Sequence, residues 1–193
     1  VFYDGTACRE VMPVKDLPLP GRHNLANAMV AIGICCSMGV APDIAGRALR
    51  KLSPVEHRLE LVRELREVRY YNDSKATNVD ATITALQSFA NPILLIAGGR
   101  GKGGTFEALR PFLRHAVRTL IVIGESAEQL ERELSDLVKT VRVVSMREAV
   151  EIAHSLARAG DIVLLSPACA SFDQFRNYEE RGRAFKTLVS ELQ

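Results

Sequence analysis

The chain has 193 residues, 47% apolar and 25% charged, with a net charge of +2, which allows one sizeable core and a smaller appended piece. The basic residues are dispersed, which excludes nucleic acid as the main partner, and no apolar run reaches the length of a membrane span or reads as a signal peptide. Cys8, Cys35, Cys36 and Cys169 make no Cys-x-x-Cys pair and no metal-ligand spacing, so a reduced, cytoplasmic chain with no metal site of its own is expected; a monomer is also expected.

The first residue is Val1 rather than Met, which suggests a piece of a longer protein. Residues 9–14 have strand character, and Leu17-Pro18-Leu19-Pro20-Gly21 then leads into a helix with Leu25, Met29, Ile32 and Cys36 on one stripe. A second helix is predicted from 42 to 52. One strand and two helices cannot close a core alone, so residues 1–54 are expected to be the tail of a preceding domain. The linker is placed around Ser53-Pro54-Val55-Glu56, and residues 55–193 form the main domain.

From residue 59 onward strand and helix alternate. Strands are predicted at 59–63, 68–71, 93–97, 119–123, 141–144 and 162–165, with helices after all but the first. This is the pattern of an α/β fold with a doubly wound, mostly parallel, Rossmann-like sheet. Too few residues separate the first two strands for a crossover helix, so one of them is an antiparallel edge strand. Ser126 with Gln129, and Ser145 with Glu148, fit capping boxes. Leu130, Leu134, Leu137 and Val138 recur at helical spacing, as do Phe185, Leu188, Val189 and Leu192 in the last helix.

Three strand ends break into polar or glycine-rich loops: Asp73-Ser74-Lys75-Ala76-Thr77-Asn78, Gly98-Gly99-Arg100-Gly101-Lys102-Gly103-Gly104, and Ser166-Pro167-Ala168-Cys169-Ala170-Ser171. In a parallel sheet all three share one edge, where two lysines, a threonine, a serine and free backbone N–H groups make a receptor for a small anion. Thr77 or Asn78 as helix cap, with Asp80 in the first turn, leaves Lys75 unexplained. A lysine beside a helix N-terminus is disfavoured by the dipole, and an anionic ligand would relieve that. The glycine run fails the Walker test, since Lys102 is followed by glycines, and it also lacks the dinucleotide spacing; tight chain reversal is its alternative role.

Other candidates stay open at this level. His23, Asn24 and Asn27 open a helix and serve either as ordinary capping groups or as contacts to a nucleotide base or phosphate. His57-Arg58 is a surface pair or a phosphate contact beside the linker. Cys169 is a buried small hydrophobe, or a nucleophile with His57, His115 or His154 as base. Gly124-Glu125-Ser126 lacks the second glycine of a nucleophile elbow.

As a set, Gly21-Arg22-His23-Asn24-Leu25-Ala26-Asn27, His57-Arg58-Leu59-Glu60, Asn72 through Asn78, Gly98 through Lys102, Ser166 through Phe175, and Glu180-Arg181-Gly182 with Phe185 resemble the C-terminal part of a Mur ligase. Within that family they are most similar to the member that adds D-glutamate. The resemblance implies ATP-dependent amide synthesis in peptidoglycan assembly. ATP phosphorylates the terminal carboxylate of UDP-N-acetylmuramoyl-L-alanine, the amine of D-glutamate attacks the acyl phosphate, and collapse gives amide, ADP and phosphate.

By the same resemblance Lys75, Thr77, Lys102, Ser171, Phe172 and Tyr178 hold D-glutamate, with Lys75 and Lys102 as the catalytic pair. Tyr178 stands where the family usually has phenylalanine, and core packing is the alternative role for Phe172. Asn24, Asn27, Arg58 and Asp73 would contact ATP. Residues 1–54 become the tail of a central ATP-binding domain. The phosphate loop, the Mg ligands and the UDP-sugar domain are expected upstream, so the chain alone is expected not to ligate. The competing readings are a sister ligase adding another amino acid, a thiol hydrolase using Cys169, and a noncatalytic small-anion module.

Overall fold

Alternate residues along the central strands point to opposite faces of one sheet. Ile93, Leu95, Ala97, Ile162 and Leu164 enter one apolar cluster, whereas Leu94, Ile96, Val163 and Leu165 enter another. The computed structural model describes residues 1–193 except 1, 4, 6, 7, 20 and 54, and the side chains of Phe2, Tyr3, Arg22 and His23. Pro20, Pro54 and the side chain of His23, all named in the sequence reading, therefore lie outside the described residues.

The chain divides into two units, Val1–Pro54 and Val55–Gln193. In the first, β1 (Phe2–Tyr3) pairs antiparallel with β2 (Cys8–Arg9), and two helices follow, α1 (Arg22–Ser37) and α2 (Pro42–Arg50). The strand predicted over 9–14 is thus displaced to Cys8–Arg9, because the chain leaves the hairpin and turns at Val14–Asp16 after Pro13. The expected stripe of α1 is only half covered. Leu25, Met29 and Ile32 line a small cavity with Leu49 of α2, yet Met29 is 61% exposed and, among the described residues of α1, Ala28 is the buried one.

The second unit carries a six-stranded sheet in the order β3-β4-β8-β5-β6-β7. Its strands are β3 (Glu60–Leu65), β4 (Val68–Asn72), β5 (Ile93–Gly98), β6 (Val117–Ile123), β7 (Lys139–Arg142) and β8 (Ile162–Leu165). Only β3 runs antiparallel, at the edge beside β4. Helices α3 (Val79–Leu86), α4 (Arg110–Ala116) and α5 (Ala127–Leu134) cover one face, and α6 (Met146–Leu156) and α7 (Tyr178–Glu191) the other. The doubly wound, mostly parallel α/β architecture is the one expected.

Two local expectations need correction. The strand predicted at 141–144 ends at Arg142, because Val144 gives its N–H to the Glu148 carboxylate as the chain enters α6. There Ser145 accepts from the Glu148 N–H as a capping box requires, while the Glu148 carboxylate reaches back one residue further, to Val144 N–H. The second box does not form. Ser126 makes no capping bond because its backbone (φ −88°, ψ 2°) is not extended as a cap requires, and Gln129 donates to Gly104 O and the Glu133 carboxylate. Helix α5 also stops at Leu134, so Val138 reaches the core from beyond the helix.

Candidate functional site

Strands β4, β8 and β5 are parallel neighbours, so the three loops leave from one edge of the sheet. Asn72 is level with Leu165 across one ladder and Ile96 with Leu165 across the next. The loops are then sewn together by backbone hydrogen bonds. Gly98 N–H donates to Pro167 O at 2.8 Å, and Arg100 and Ala170 exchange both of their backbone bonds at 2.9 and 3.0 Å. Gly99 must be glycine for this, since a Cβ there would lie 2.2 Å from Ala170 O at a φ of +128°.

The loop at 73–78 is tied to the same core by Arg181, a residue absent from the sequence-derived site. Its guanidinium donates to Ser74 Oγ (3.0 Å), Ser74 O (2.8 Å) and Cys169 O (3.1 Å). One signal did mark it: Arg181 stands four residues before Phe185 and eight before Val189, on the buried stripe of α7. Asn177 caps that helix by accepting from Glu180 N–H, and Glu180 accepts from Arg176 N–H in return.

On this scaffold the residues predicted to hold an amino acid lie in the three loops, in the segment after Ser171 and at the start of α7. Lys75 is partly buried with its Nζ 3.9 Å from the centre of the Tyr178 ring, a cation–π contact. Lys102 is exposed on the glycine loop and close enough to Cys169 to act on its thiol electrostatically. Ser171 is buried two residues beyond Cys169, and Thr77 is half-buried beside Asn78, which caps α3 by accepting from Ala81 N–H. Phe172 is 61% exposed. Its alternative as a core residue is therefore excluded, and an exposed aromatic ring at this edge is available to a ligand.

The expected nucleotide contacts are split. Asn24 and Asn27 lie on α1 in the first unit; Arg58 and Asp73 lie in the second. Arg58 is exposed. Asp73 is buried, accepting from Leu59 N–H (3.2 Å) and Ser166 Oγ–H (2.8 Å), and burial pushes its carboxyl up to about 6. Its carboxylate fixes the turn that carries Arg58.

The Cys169 nucleophile is not supported. The thiol has no exposed surface and burial pushes it up to about 11, so it stays protonated. The candidate bases are engaged elsewhere: His154 bonds Tyr70 Oη at 2.7 Å, His115 lines a cavity with Phe89 and Pro92, and His57 bonds Asn72 at 2.8 Å.

Glu56, His57 and Glu60 cluster closely enough to suggest a metal site, but the hydrogen bonds argue otherwise. Asn72 Oδ1 accepts from Ser74 N–H, and its Nδ2 donates to Glu60 Oε2 and to His57 Nδ1. This places the proton of His57 on Nε2, which then has no lone pair for a cation. The Lys186 ammonium already bridges Glu56 and Glu60. Burial raises the Glu60 carboxyl, but the bonds from Lys186 and His57 N–H outweigh it and hold the group below its usual range. Such a set does not suit Mg, which needs an open octahedron of oxygens.

The family model described as Mur ligase, glutamate ligase domain, matches residues 57–169, more than half of the chain. The chain belongs to the Mur ligase family. It is 45% identical to the UDP-N-acetylmuramoylalanine--D-glutamate ligase of Koribacter versatilis over 99% of its own length and 42% of that protein. It is 47% identical to the like-named protein of Salinibacter ruber, covering 94% of itself and 40% of that one. The chain thus spans about two fifths of these relatives. Among solved structures, the folylpolyglutamate synthase of Mycobacterium tuberculosis complexed with ADP superposes with a TM-score of 0.68 at 18% identity, over 92% of this chain and 42% of that one. The UDP-N-acetylmuramate-alanine ligase of Thermotoga maritima gives 0.67 at 18%, over 89% and 38%. These two likenesses concern the fold.

Proposed function

We propose that the chain is the C-terminal portion of an ATP-dependent ligase that joins D-glutamate to UDP-N-acetylmuramoyl-L-alanine through an acyl phosphate, working in the cytoplasm. The observation that carries this reading is the arrival of Lys75 and Lys102 at one sheet edge from two loops joined to the same third loop. A dicarboxylate needs two separate clusters of donors. Lys75 with Thr77 would take one carboxylate, and Lys102 with Ser171 the other, while Phe172 and Tyr178 shield the pair from water.

Held in this way, the amine of D-glutamate would be presented to the acyl phosphate in a near-attack geometry, which is the main source of acceleration available to these residues. The two ammonium groups would also offset negative charge that develops at the tetrahedral centre. Arg58, on the turn held by Asp73, and Asn24 and Asn27 would contact ATP. Mg would be held by residues of the part of the protein upstream of this chain. By the same division, residues 1–54 belong to the ATP-binding domain and residues 55–193 form the amino-acid-binding domain.

The test is phosphate release by the intact protein given ATP, D-glutamate and UDP-N-acetylmuramoyl-L-alanine, with each omitted in turn. Release that requires all three supports the reading. Release supported by a different amino acid instead of D-glutamate would transfer it to a sister ligase, and D-glutamate binding without release would leave an anion-binding module.

A further inference from the structure

We infer that Arg181 is a positioning residue that sets the distance between the two carboxylate subsites and so determines which dicarboxylic amino acid is selected. The inference rests on the D-glutamate reading above. Arg181 is 3% exposed, and its three donor nitrogens reach three acceptors that belong to two loops. Ser74 precedes Lys75 in one loop, and Cys169 lies two residues before Ser171 in the other. Ser74 is further fixed because its hydroxyl donates to Tyr178 O at 2.8 Å, and Tyr178 carries the ring beneath Lys75. One guanidinium therefore spans the gap between the Lys75 cluster and the Ser171 cluster.

Its acceptors are two carbonyls and a hydroxyl, none of them a carboxylate. Asp173 acts on Arg181 from a distance, with its own oxygen accepting from Glu125 N–H at 3.1 Å. The buried positive charge is thus not cancelled by a contact ion pair, and it adds to Lys75 and Lys102 at the edge. Burial also leaves little water to screen it. A lysine could keep the charge but not the span, because a single ammonium cannot direct three bonds from a rigid planar fork.

The consequence is a difference in selectivity. D-aspartate is D-glutamate shortened by one methylene, so a fixed distance between subsites rejects it and a loosened one tolerates it. The experiment uses the intact protein, comparing wild type, Arg181→Lys, Arg181→Met and Ser74→Ala, with KM for D-glutamate, D-aspartate, ATP and the UDP-sugar. Arg181→Lys should raise KM for D-glutamate about tenfold and reduce the preference over D-aspartate by a similar factor, with KM for ATP nearly unchanged. Arg181→Met, which also loses the charge, should raise KM for D-glutamate about a hundredfold. Ser74→Ala keeps the charge and removes one acceptor, so it should fall between wild type and Arg181→Lys, and it keeps the test open where Arg181→Met does not fold. An unchanged preference and KM in Arg181→Lys and Ser74→Ala would overturn the inference, as would an equal rise in KM for every substrate, the mark of general loosening. A wild-type protein with no D-glutamate-dependent release would instead refute the proposed function.

Discussion

The two edges of the main sheet differ in kind. At the amino edge a cavity of about 560 Å³ is lined by Leu86, Phe89, Pro92, Phe112 and Val117. The nearby cations are committed, Arg69 to Asn91 and Arg118 to Leu156 O and Asp161. At the carboxyl edge the cavity by Gly124 and Asp173 is about 290 Å³, yet there the loops converge and, among the described residues, Lys75 and Lys102 form no salt bridge. Open volume reflects where helices splay apart. Chemistry depends on where strand ends deliver donors and charge, and in parallel sheets that is the carboxyl edge.

The sharpest way to break this contrast is to compare Lys102→Ala with Phe112→Ala in the intact protein. The first should lower kcat/KM for D-glutamate by about 10²–10³ with little change in stability. The second should leave turnover intact and cost about 1–3 kcal/mol of unfolding free energy by denaturant titration. Equal loss of activity in both would remove the distinction between the edges.

Next in size is the glycine comparison within the carboxyl edge itself. Gly99→Ala puts a methyl group into Ala170 O and should cost about 3 kcal/mol or more, separating two of the loops. Gly103→Ala has the same left-handed problem, with a φ of +79°, but open space around it, and should cost only about 1 kcal/mol. Similar melting temperatures for the two would show that the loops are not held by the Arg100–Ala170 bridge.

Asp73 gives a pH signature. Burial pushes its carboxyl from the ordinary 3.8 up to about 6 in the folded state, so between these values the folded state binds more protons than the unfolded one. Stability from this group is present below about pH 4 and lost as pH rises through about 6, by up to ~3 kcal/mol. Asp73→Asn should lack this slope and be the more stable protein at pH 7, by about 1–2 kcal/mol, once urea midpoints are compared across pH. A parallel pH course for the two proteins would contradict the buried-carboxyl account.

The smallest effect is expected at Cys169. Thiol titration of the folded protein should modify the exposed Cys8 and leave Cys169 untouched, and Cys169→Ala should retain ligase turnover.

Much of this was legible in the residues. The buried strands and the Ser145 box depend on neighbours close in sequence, and hydrophobic alternation or a cap three residues away records them directly. Ser126 carries the same local signal and fails, because its N–H is bound to Gly99 O, 27 positions back in the chain, and its backbone is not the extended one a cap needs. Phe172 was ambiguous for the same reason: an aromatic after a strand packs inward or faces out according to what tertiary contacts leave open.

The order of polar and apolar residues was sufficient by itself to establish a parallel sheet whose loops at Lys75, Lys102 and Ser171 share an edge, since strand periodicity and crossover length are local properties. What only the folded molecule decided is how those loops are held in place: by Arg181 across Ser74 and Cys169, by the Arg100–Ala170 bridge, and by His57 O accepting from Lys75 N–H. Each of these joins residues far apart in the chain, and no short-range pattern encodes a hydrogen bond whose partner is supplied by topology.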